Sequence, residues 1–348
     1  MTQRETLTFA AVFALAAVAV VLRAAGVAGQ AVFLISALAL MALAWLLGEA
    51  TDQAGDTAGP RVSALLNATM GNLPEMVIVV LAINAGLADI ARASIIGSVI
   101  GNVLLILGLS LVLGGLKNGV QTFNARLAAT NSSMLVLGVA GLGVPTLFAA
   151  VNHSSHDAEV LSWWTAAALL VSYVAYIYYS FTTPDLRYRH RPTGATWTRT
   201  QAIVLLCVTA VATGVVSEVL VKSIEPTVRD LGVPRTFIGL IVVPFVGNAA
   251  EHFSAVRLAW RNNLDFAMGI AYGSGIQIAL AASALAVFAS IPLGPNLTLV
   301  FPPLELAALA AAALVSTLVA RGGETNWLEG LQLLVIYFVV AVAFWLLG

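Results

Sequence analysis

Two short phrases, each ending in a glutamate, stand inside long apolar segments of this chain. One reads GNLPE and ends at Glu75; the other reads GNAAE and ends at Glu251. At the same offset of 176 residues, Gly97-Ser98 matches Gly273-Ser274 without a gap. A carboxylate inside a membrane segment is costly and usually marks an ion or proton path. A pair on duplicated segments predicts a transporter with its binding site between two repeats.

The composition indicates that lipid surrounds most of the chain. Of the 348 residues, 60% are hydrophobic and 9% are charged, and the mean hydropathy is +0.95. A water-facing surface needs far more charge than this. The net charge of -1 and the lack of a basic patch give no indication of nucleic-acid binding. The single cysteine, Cys207, excludes a disulfide within the chain.

Apolar runs of about 20 residues predict an all-α membrane protein with about eleven spans. The first run follows Arg4 and resembles a signal peptide in outline, but its length favours a first membrane helix. The predicted spans are 6–25, 30–50, 61–87, 90–116, 126–150, 160–182, 200–223, 235–259, 265–289, 297–320 and 326–347.

Basic residues predict how the chain crosses the membrane. With the N-terminus in the cytoplasm and the C-terminus outside, five of the 16 basic residues would lie on the far side, namely Arg23, Arg92, Lys222, Arg229 and Arg235. That distribution obeys the positive-inside rule. The short loops favour a bacterial cytoplasmic membrane, with a vacuolar membrane as the alternative.

The two phrases fall on the third and the eighth span, so the two copies cross the membrane in opposite directions. The sequence therefore predicts two inverted five-helix repeats after an extra helix at 1–29. The first repeat is 30–182, a basic connector follows at 183–199, and the second repeat is 200–348.

Residues that break helices lie in both phrases. Gly and Asn are poor in a helix interior. Pro74 removes the donor to the carbonyl of Met70, and Pro244 does the same for Leu240. Free carbonyls at membrane depth are tolerated only within protein or around a cavity. There they are available as cation ligands.

Polar side chains near the glutamates share helix faces and predict an oxygen-rich site. Calcium takes about six to eight oxygen ligands, whereas zinc or copper prefers His or Cys. Two carboxylates also balance one divalent ion. Besides Glu75 and Glu251, the predicted metal ligands are Asn72, Asn248, Ser98 and Ser274, with Asn102, Gln277, Met70 and Leu240 as further lining residues.

Desolvation suggests how such a site would couple two ions. Burial and like charge both disfavour an empty, ionised carboxylate pair. The stable states are therefore calcium on two ionised groups, or no calcium on two protonated groups. If only these states change sides, calcium and protons exchange. Sodium in place of the proton stays open on these grounds.

With GSVIGN at 97–102 and GSGIQI at 273–278, the two phrases resemble the alpha-repeats of the cation/proton exchanger family, part of the calcium/cation antiporter superfamily. The resemblance covers 60–115 and 236–291. It implies a calcium/proton antiporter with ten core helices in two inverted halves. It also implies that Glu75 and Glu251 bind calcium and carry protons.

Two departures from related sequences matter. Many members of the family have an acidic segment between the halves, whereas this connector is rich in arginine, so no regulatory role is transferred to it. Sodium/calcium exchangers usually have Pro-Glu in both repeats. Here the second copy has Ala250-Glu251, which favours the proton-coupled branch.

Other functions stay as alternatives. A sodium/calcium exchanger is the nearest, and an intramembrane enzyme or a cation channel is less favoured because no catalytic motif accompanies the inverted repeat. We expect no cofactor beyond the transported Ca²⁺, with Ca²⁺, H⁺ and the lipid bilayer as partners. A homo-oligomer is compatible with the sequence.

Three further residues are candidates for gating or proton access. Glu49 and Glu218 lie in spans two and seven and pair loosely across the repeats, and His252 follows Glu251 directly. Helix packing is the alternative for His252, since an apolar helix often holds a single histidine. Glu305 follows Pro302-Pro303 and is expected at the membrane surface.

Overall fold

The computed structural model describes residues 2–58, 60–183, 196–294 and 296–347, which are almost entirely helical. The helices in chain order are α1 Gln3–Ala24, α2 Gly29–Ala58, α3 Pro60–Met70, α4 Leu73–Asn84, α5 Ala88–Ile100, α6 Leu107–Asn118, α7 Ala125–Val151, α8 Ser155–Thr182, α9 Arg199–Leu231, α10 Arg235–Phe237, α11 Val243–Gly247, α12 Ala249–Trp260, α13 Leu264–Gln277, α14 Ser283–Ser290, α15 Pro303–Val319 and α16 Trp327–Leu346.

The described residues also form three π-helical segments, one short strand pair and a 3-10 turn at Ile291–Leu293. The π segments join α5 to α6 at Gly101–Ile106, α10 to α11 at Ile238–Val242, and α13 to α14 at Ile278–Ala282. The strands β1 Gln121–Thr122 and β2 Glu324–Thr325 pair antiparallel. The predicted all-α class is confirmed, with this two-residue ladder as the exception.

The structure has helices in each of the eleven predicted spans, but not all are long enough to cross a membrane alone. Within the described residues, eight helical stretches have the required length and apolarity, and the bent pair 235–247 with 249–260 makes a ninth. The two remaining spans contain the shorter apolar helices α4 and α15. The span predicted at 297–320 starts late, because α15 begins only at Pro303. The count of eleven therefore stays a prediction.

Both glutamate phrases interrupt their helices, as the sequence predicts. The chain leaves helix at Gly71-Asn72, between α3 and α4. Around Asn248, α11 and α12 meet at a bend of 60°. Pro74 is the second residue of α4, where its missing N–H removes no intrahelical bond. The breaks thus leave each glutamate at the start of a new helix.

Helices α1, α2 and α9 pack side by side and form one layer of the molecule. At one end of this layer, the buried Trp197 packs edge-on against Phe9, with ring centroids 5.3 Å apart. The Oε1 atom of Gln53 accepts hydrogen bonds from the backbone N–H groups of Thr196 and Trp197. Most of the predicted connector, 184–195, lies outside the described residues.

Most of α5 packs closely against α10 and the π segment that follows it. We call this contact, formed by residues 88–97 and 235–242, the α5–α10 seam. A Cβ added at Gly97 would lie 1.9 Å from the carbonyl oxygen of Leu240, and one at Gly239 would lie 2.9 Å from Cβ of Ala93. Only glycine permits this approach of the two backbones. At Gly273, the repeat equivalent of Gly97, an added Cβ would meet no described atom within 4 Å.

Candidate cation-binding site

The two predicted glutamates come together at the helix breaks. Glu75 is the third residue of α4, is 2% exposed, and lies against the other repeat: a Cβ on Gly247 would be 2.9 Å from Glu75 Oε1. Glu251 is the third residue of α12 and is half-buried. The charges of the two carboxylates act on each other. The site therefore contains acidic groups from both repeats.

Local structure places both glutamates in the first turn of a helix. The free N–H groups and the dipole at a helix N-terminus favour a negative charge there. Glu75 and Glu251 occupy this position because Asn72 and Asn248 precede the first helical residues. The same helix breaks that interrupt the spans thus make an ionised carboxylate less costly.

Asn102 links the two repeats at the centre of the site. Its side-chain Nδ2 group lies within hydrogen-bond distance of Asn248 Oδ1 at 3.1 Å, Ser274 Oγ at 2.9 Å and the Ser98 carbonyl at 2.9 Å. Asn248 Nδ2 in turn donates to Pro244 O at 2.9 Å and reaches Ser98 Oγ at 3.4 Å. One amide on the first π segment thus connects α5 and α13 with the helix break at Asn248.

Asn72 and Gln277 extend this network to the other side. Asn72 Nδ2 donates to Gln277 Oε1 at 2.8 Å, and Ser274 Oγ donates to Asn72 Oδ1 at 2.7 Å. Both side chains are buried. The six neutral residues that the sequence predicts are therefore in one hydrogen-bonded network.

The acidic oxygens are not part of that network. Both oxygens of Glu75, Oε2 of Glu251 and Oδ1 of Asn102 are buried and have no hydrogen-bond partner among the described residues. Buried polar groups normally find partners. Four oxygen atoms of one site are thus left for a cation, or for protons on the carboxylates.

The donor set suits a hard cation. Within the described residues, no group of three or more His, Cys, Asp or Glu side chains is arranged to hold a metal ion. The site instead combines two carboxylates with amide and hydroxyl oxygens, the ligand types that calcium uses. Soft-metal chemistry has no sulfur or imidazole cluster here to support it.

A cavity of about 400 Å³ reaches Glu75 between α4, α5 and the end of the long helix α13–α14. Ser94 and Ser98 line it together with Glu75, and the rest of its wall is apolar. The hydroxyl of Ser94 is buried and has no partner among the described residues. The first carboxylate therefore lies at the edge of a partly open cavity rather than in solid packing.

The two carbonyl ligands predicted from the prolines lie in different surroundings. Met70 is the last residue of α3, directly before the helix break, and its side chain packs against the core. Leu240 lies in the π segment 238–242, and its carbonyl faces Gly97 across the α5–α10 seam. The Leu240 carbonyl thus closes a helix contact beside Ser98.

The three candidates for gating or proton access differ in their contacts. Glu49 is half-buried and accepts a hydrogen bond from Gln53, and its neighbour Gly48 lies beside Ala250 of the second phrase. His252 is half-buried, and its ring lies 5.1 Å from the ring of Phe245. Helix packing thus accounts for the position of His252.

Glu218 is not brought to the site. Its side chain is 51% exposed and pairs with Lys222 on the same helix at 2.5 Å. The repeat offset in fact places Glu225, rather than Glu218, opposite Glu49. Glu225 pairs with Arg235 near the α5–α10 seam. The repeat offset is therefore the signal in the sequence that identifies Glu225.

Glu305 was expected at the membrane surface, but it is buried within the protein, with 2% of its surface exposed. It is the third residue of α15, and its charge acts on that of Arg92 on α5. Pro302-Pro303 correctly marks the start of a helix. Nothing in the sequence shows which neighbouring helix covers the side chain.

Comparison with known proteins shows the family to which the chain belongs. The sequence profile of the family described as "Sodium/calcium exchanger protein" matches residues 29–182 and 201–346. The chain is 34% identical to a Ca(2+)/H(+) antiporter of Aphanothece halophytica over 90% of this chain and 89% of the relative. It is 36% identical to the Ca(2+)/H(+) antiporter ChaA of Bacillus subtilis over 90% of this chain and 92% of the relative.

Solved structures show the same fold. The structure of native YfkE superimposes with a TM-score of 0.86 at 33% identity and covers 97% of this chain and 99% of that one. The H⁺/Ca²⁺ exchanger CAX aligns with a TM-score of 0.75 at 16% identity, over 99% of this chain and 93% of that one, which shows a shared fold. With a profile match over most of its length and relatives of this similarity, the chain belongs to the sodium/calcium exchanger protein family.

Proposed function

We propose that the protein is a secondary active antiporter that exchanges Ca²⁺ for H⁺ across a membrane, with Glu75 and Glu251 as the groups that bind both. One observation carries this proposal: both oxygens of the buried Glu75 have no partner, although neutral side chains around it are hydrogen-bonded to one another. The relatives named Ca(2+)/H(+) antiporters support the choice of ions.

The coupling follows from the energetics of the two carboxylates. An ionised pair without a counter-charge in a buried site is unfavourable, because both desolvation and mutual repulsion oppose it. Binding of Ca²⁺ neutralises the two negative charges of the pair, and binding of two protons does the same. Each ion can therefore leave only as the other arrives, which is the requirement for exchange.

The neutral network would hold the ligands in place during this exchange. Ser98 and Ser274 lie in α5 and α13, Asn72 and Asn248 lie at the two helix breaks, and Asn102 contacts three of these four residues. We assign these side chains to the lining of the site, where their oxygens complement the carboxylates. Gln277 holds Asn72 in position from the opposite side.

Alternating access would come from movement of one group of helices across this site. Helices α1, α2 and α9 form a layer that packs together and is a natural moving unit. We further propose the orientation that the positive-inside rule predicts, with the N-terminus in the cytoplasm of a bacterium and the C-terminus outside. In that orientation the protein exports calcium as protons enter, and the α5–α10 seam lies on the outer side.

Isotope flux with purified protein in liposomes tests the proposal. We expect ⁴⁵Ca²⁺ uptake that depends on an imposed pH gradient and does not require sodium. Glu75→Gln and Glu251→Gln should each nearly abolish exchange, because a neutral amide cannot balance Ca²⁺ or release a proton. Size-exclusion profiles like that of the parent would show that both variants fold.

The matched control is Asp230→Asn, which removes an exposed carboxylate next to Arg229 at the end of α9. It should transport like the parent. Parent-like exchange by both glutamine variants would reject the site. Calcium movement that needs sodium and ignores the pH gradient would instead support a sodium/calcium exchanger.

A further inference from the structure

A groove between α7 and α15 shares no lining residue with the cation-binding site. Its volume of about 450 Å³ falls within the range of about 300–1,000 Å³ that ligand sites have. We call it the α7–α15 groove, and it is formed by one face of residues 129–136 and by residues 317–321. The strand β1 precedes α7 and the strand β2 follows α15, so their ladder joins the two helices at this end. The groove therefore lies near the ends of both helices rather than midway along them.

Two polar groups that line the groove are available to a ligand. Ser132 is 2% exposed, and its Oγ lies near the Tyr272 hydroxyl but forms no hydrogen bond with a described residue. Arg321 is exposed, and its side chain forms no ion pair among the described residues. The hydroxyls of Ser133 and Thr317, by contrast, donate to carbonyls of their own helices. The groove thus presents a buried hydroxyl donor and a guanidinium, which suit an anionic oxygen.

The surface beside the groove indicates that a lipid is the ligand. Leu137 on α7 and Leu314 and Leu318 on α15 are exposed, and exposed apolar side chains on a membrane helix face acyl chains. In the orientation proposed above, Arg321 lies at the cytoplasmic leaflet, where anionic lipids attract arginine side chains. A basic pocket between spans on this side fits the phosphate of a lipid headgroup.

We propose that the α7–α15 groove binds one anionic phospholipid, with its phosphate on the guanidinium of Arg321 and the hydroxyl of Ser132. An acyl chain of this lipid runs past Val136 toward the membrane interior. The site goes beyond the exchange of ions, because none of its residues contacts the predicted cation ligands through the groove.

One side chain links the groove to the cation-binding site. Tyr272 of α13 is fully buried and donates a hydrogen bond to the carbonyl of Ser316 at 2.6 Å. Ser316 directly precedes Thr317 of the groove, and Tyr272 stands two residues before Ser274 of the site. A lipid that holds α7 against α15 therefore also steadies the helix that supplies Ser274.

Native mass spectrometry of the purified protein tests the proposal, with dioleoyl phosphatidylglycerol and dioleoyl phosphatidylcholine as the two added lipids. We expect the parent to retain one phosphatidylglycerol in preference to phosphatidylcholine. Arg321→Gln should weaken this binding about fivefold, the usual effect of one arginine on an anionic lipid. Ser132→Ala should weaken it about 2- to 10-fold, because one hydrogen bond is lost.

Two matched pairs of variants locate the lipid. Val136→Trp fills the groove and should remove the binding, whereas Leu137→Trp changes a neighbour that is similarly exposed but does not line the groove. Arg261→Gln removes an exposed arginine at the end of α12, on the same predicted side of the membrane, and should bind like the parent. Size-exclusion profiles like that of the parent would show that each variant folds.

Three results would overturn the proposal. Equal weakening by Arg321→Gln and Arg261→Gln would show a diffuse attraction of lipid to basic residues instead of a site. Equal retention of the two lipids would show that the negative charge is not recognised. Displacement of the lipid by millimolar inorganic phosphate would show that the groove takes a free anion. Because the measurement involves no calcium flux, it decides the proposal even if the protein is not an antiporter.

Discussion

A single methyl group at Gly97 should separate the helices of the α5–α10 seam. An alanine Cβ there would lie 1.9 Å from the carbonyl oxygen of Leu240, and the next two atoms in its path, at 2.6 and 2.7 Å, also belong to the Leu240 backbone. Real contacts of this kind stay above 3.0 Å, so the two backbones must move apart by at least 1.1 Å. No flexible side chain is available to move instead.

The repeat offers a matched control for this change. Gly273 is the equivalent residue of α13, and an alanine there would meet no described atom within 4 Å. Both substitutions gain helix propensity of up to about 1 kcal/mol, because glycine is poor in a helix interior. That gain cancels when the two variants are compared. The remaining difference is the cost of overpacking at Gly97, about 1–3 kcal/mol.

Thermal unfolding in one detergent, followed by tryptophan fluorescence, would measure this difference. We expect Gly273→Ala to melt at or above the temperature of the parent protein and Gly97→Ala to melt clearly below it. Equal melting temperatures of the two variants would refute the view that this seam is closed by direct backbone contact.

Two further predictions concern the hydrogen-bond network and the anchor of the connector. Asn102→Ala should raise the KM for Ca²⁺ in flux assays by about 5- to 100-fold, because the buried acceptors at Ser98, Asn248 and Ser274 lose a donor. The control is Ser110→Ala, since the buried Ser110 hydroxyl has no partner among the described residues. Gln53→Ala should lower unfolding stability by about 1–3 kcal/mol, since the backbone N–H of buried Trp197 loses its acceptor; Gln30→Ala, exposed on the same helix, should have no effect.

The two helix breaks could be predicted from the sequence because the repeat is carried by residues that break helices. Glycine and asparagine destabilise the interior of an apolar helix, so the breaks at Asn72 and Asn248 could be located from the sequence alone. Each break sets a glutamate in the first turn of the next helix. The family resemblance rested on these phrases, whereas the fold class followed from the length and number of the apolar runs.

The links between helices could not be predicted in the same way. Asn102 and Gln277 are not equivalent at the repeat offset, which pairs Asn102 with Ile278 and Gln277 with Gly101. Asn102 lies in a π-helical segment, and Gln277 lies directly before another. A π turn rotates the side chains that follow it relative to an α-helix. Sequence spacing calculated for an α-helix therefore cannot say which neighbour these amides reach.

The partners of the two acids on α9 were a second limit. Glu218 and Glu225 lie two turns apart on α9, and only Glu218 falls within the predicted span 200–223. The structure leaves Glu218 on an exposed face with Lys222 and places Glu225 against Arg235 of another helix. The two residues share a helix face, since they are seven positions apart, and their side chains are similarly exposed, at 51% and 44%. They differ in their partners, which depend on the residues of other segments that lie beside each turn of α9.

The division between bonded and unbonded polar atoms explains how one site can be rigid and still exchange its ions. Neutral amides and hydroxyls from both repeats are hydrogen-bonded to one another, so that network persists whichever ion is present. The carboxylate oxygens of Glu75 take no part in it. If those oxygens had protein donors, the ionised form would be stable without a cation, and calcium could leave before protons arrived. Tight coupling therefore requires that the neutral side chains of the site have hydrogen-bond partners within the protein and that its carboxylates have none.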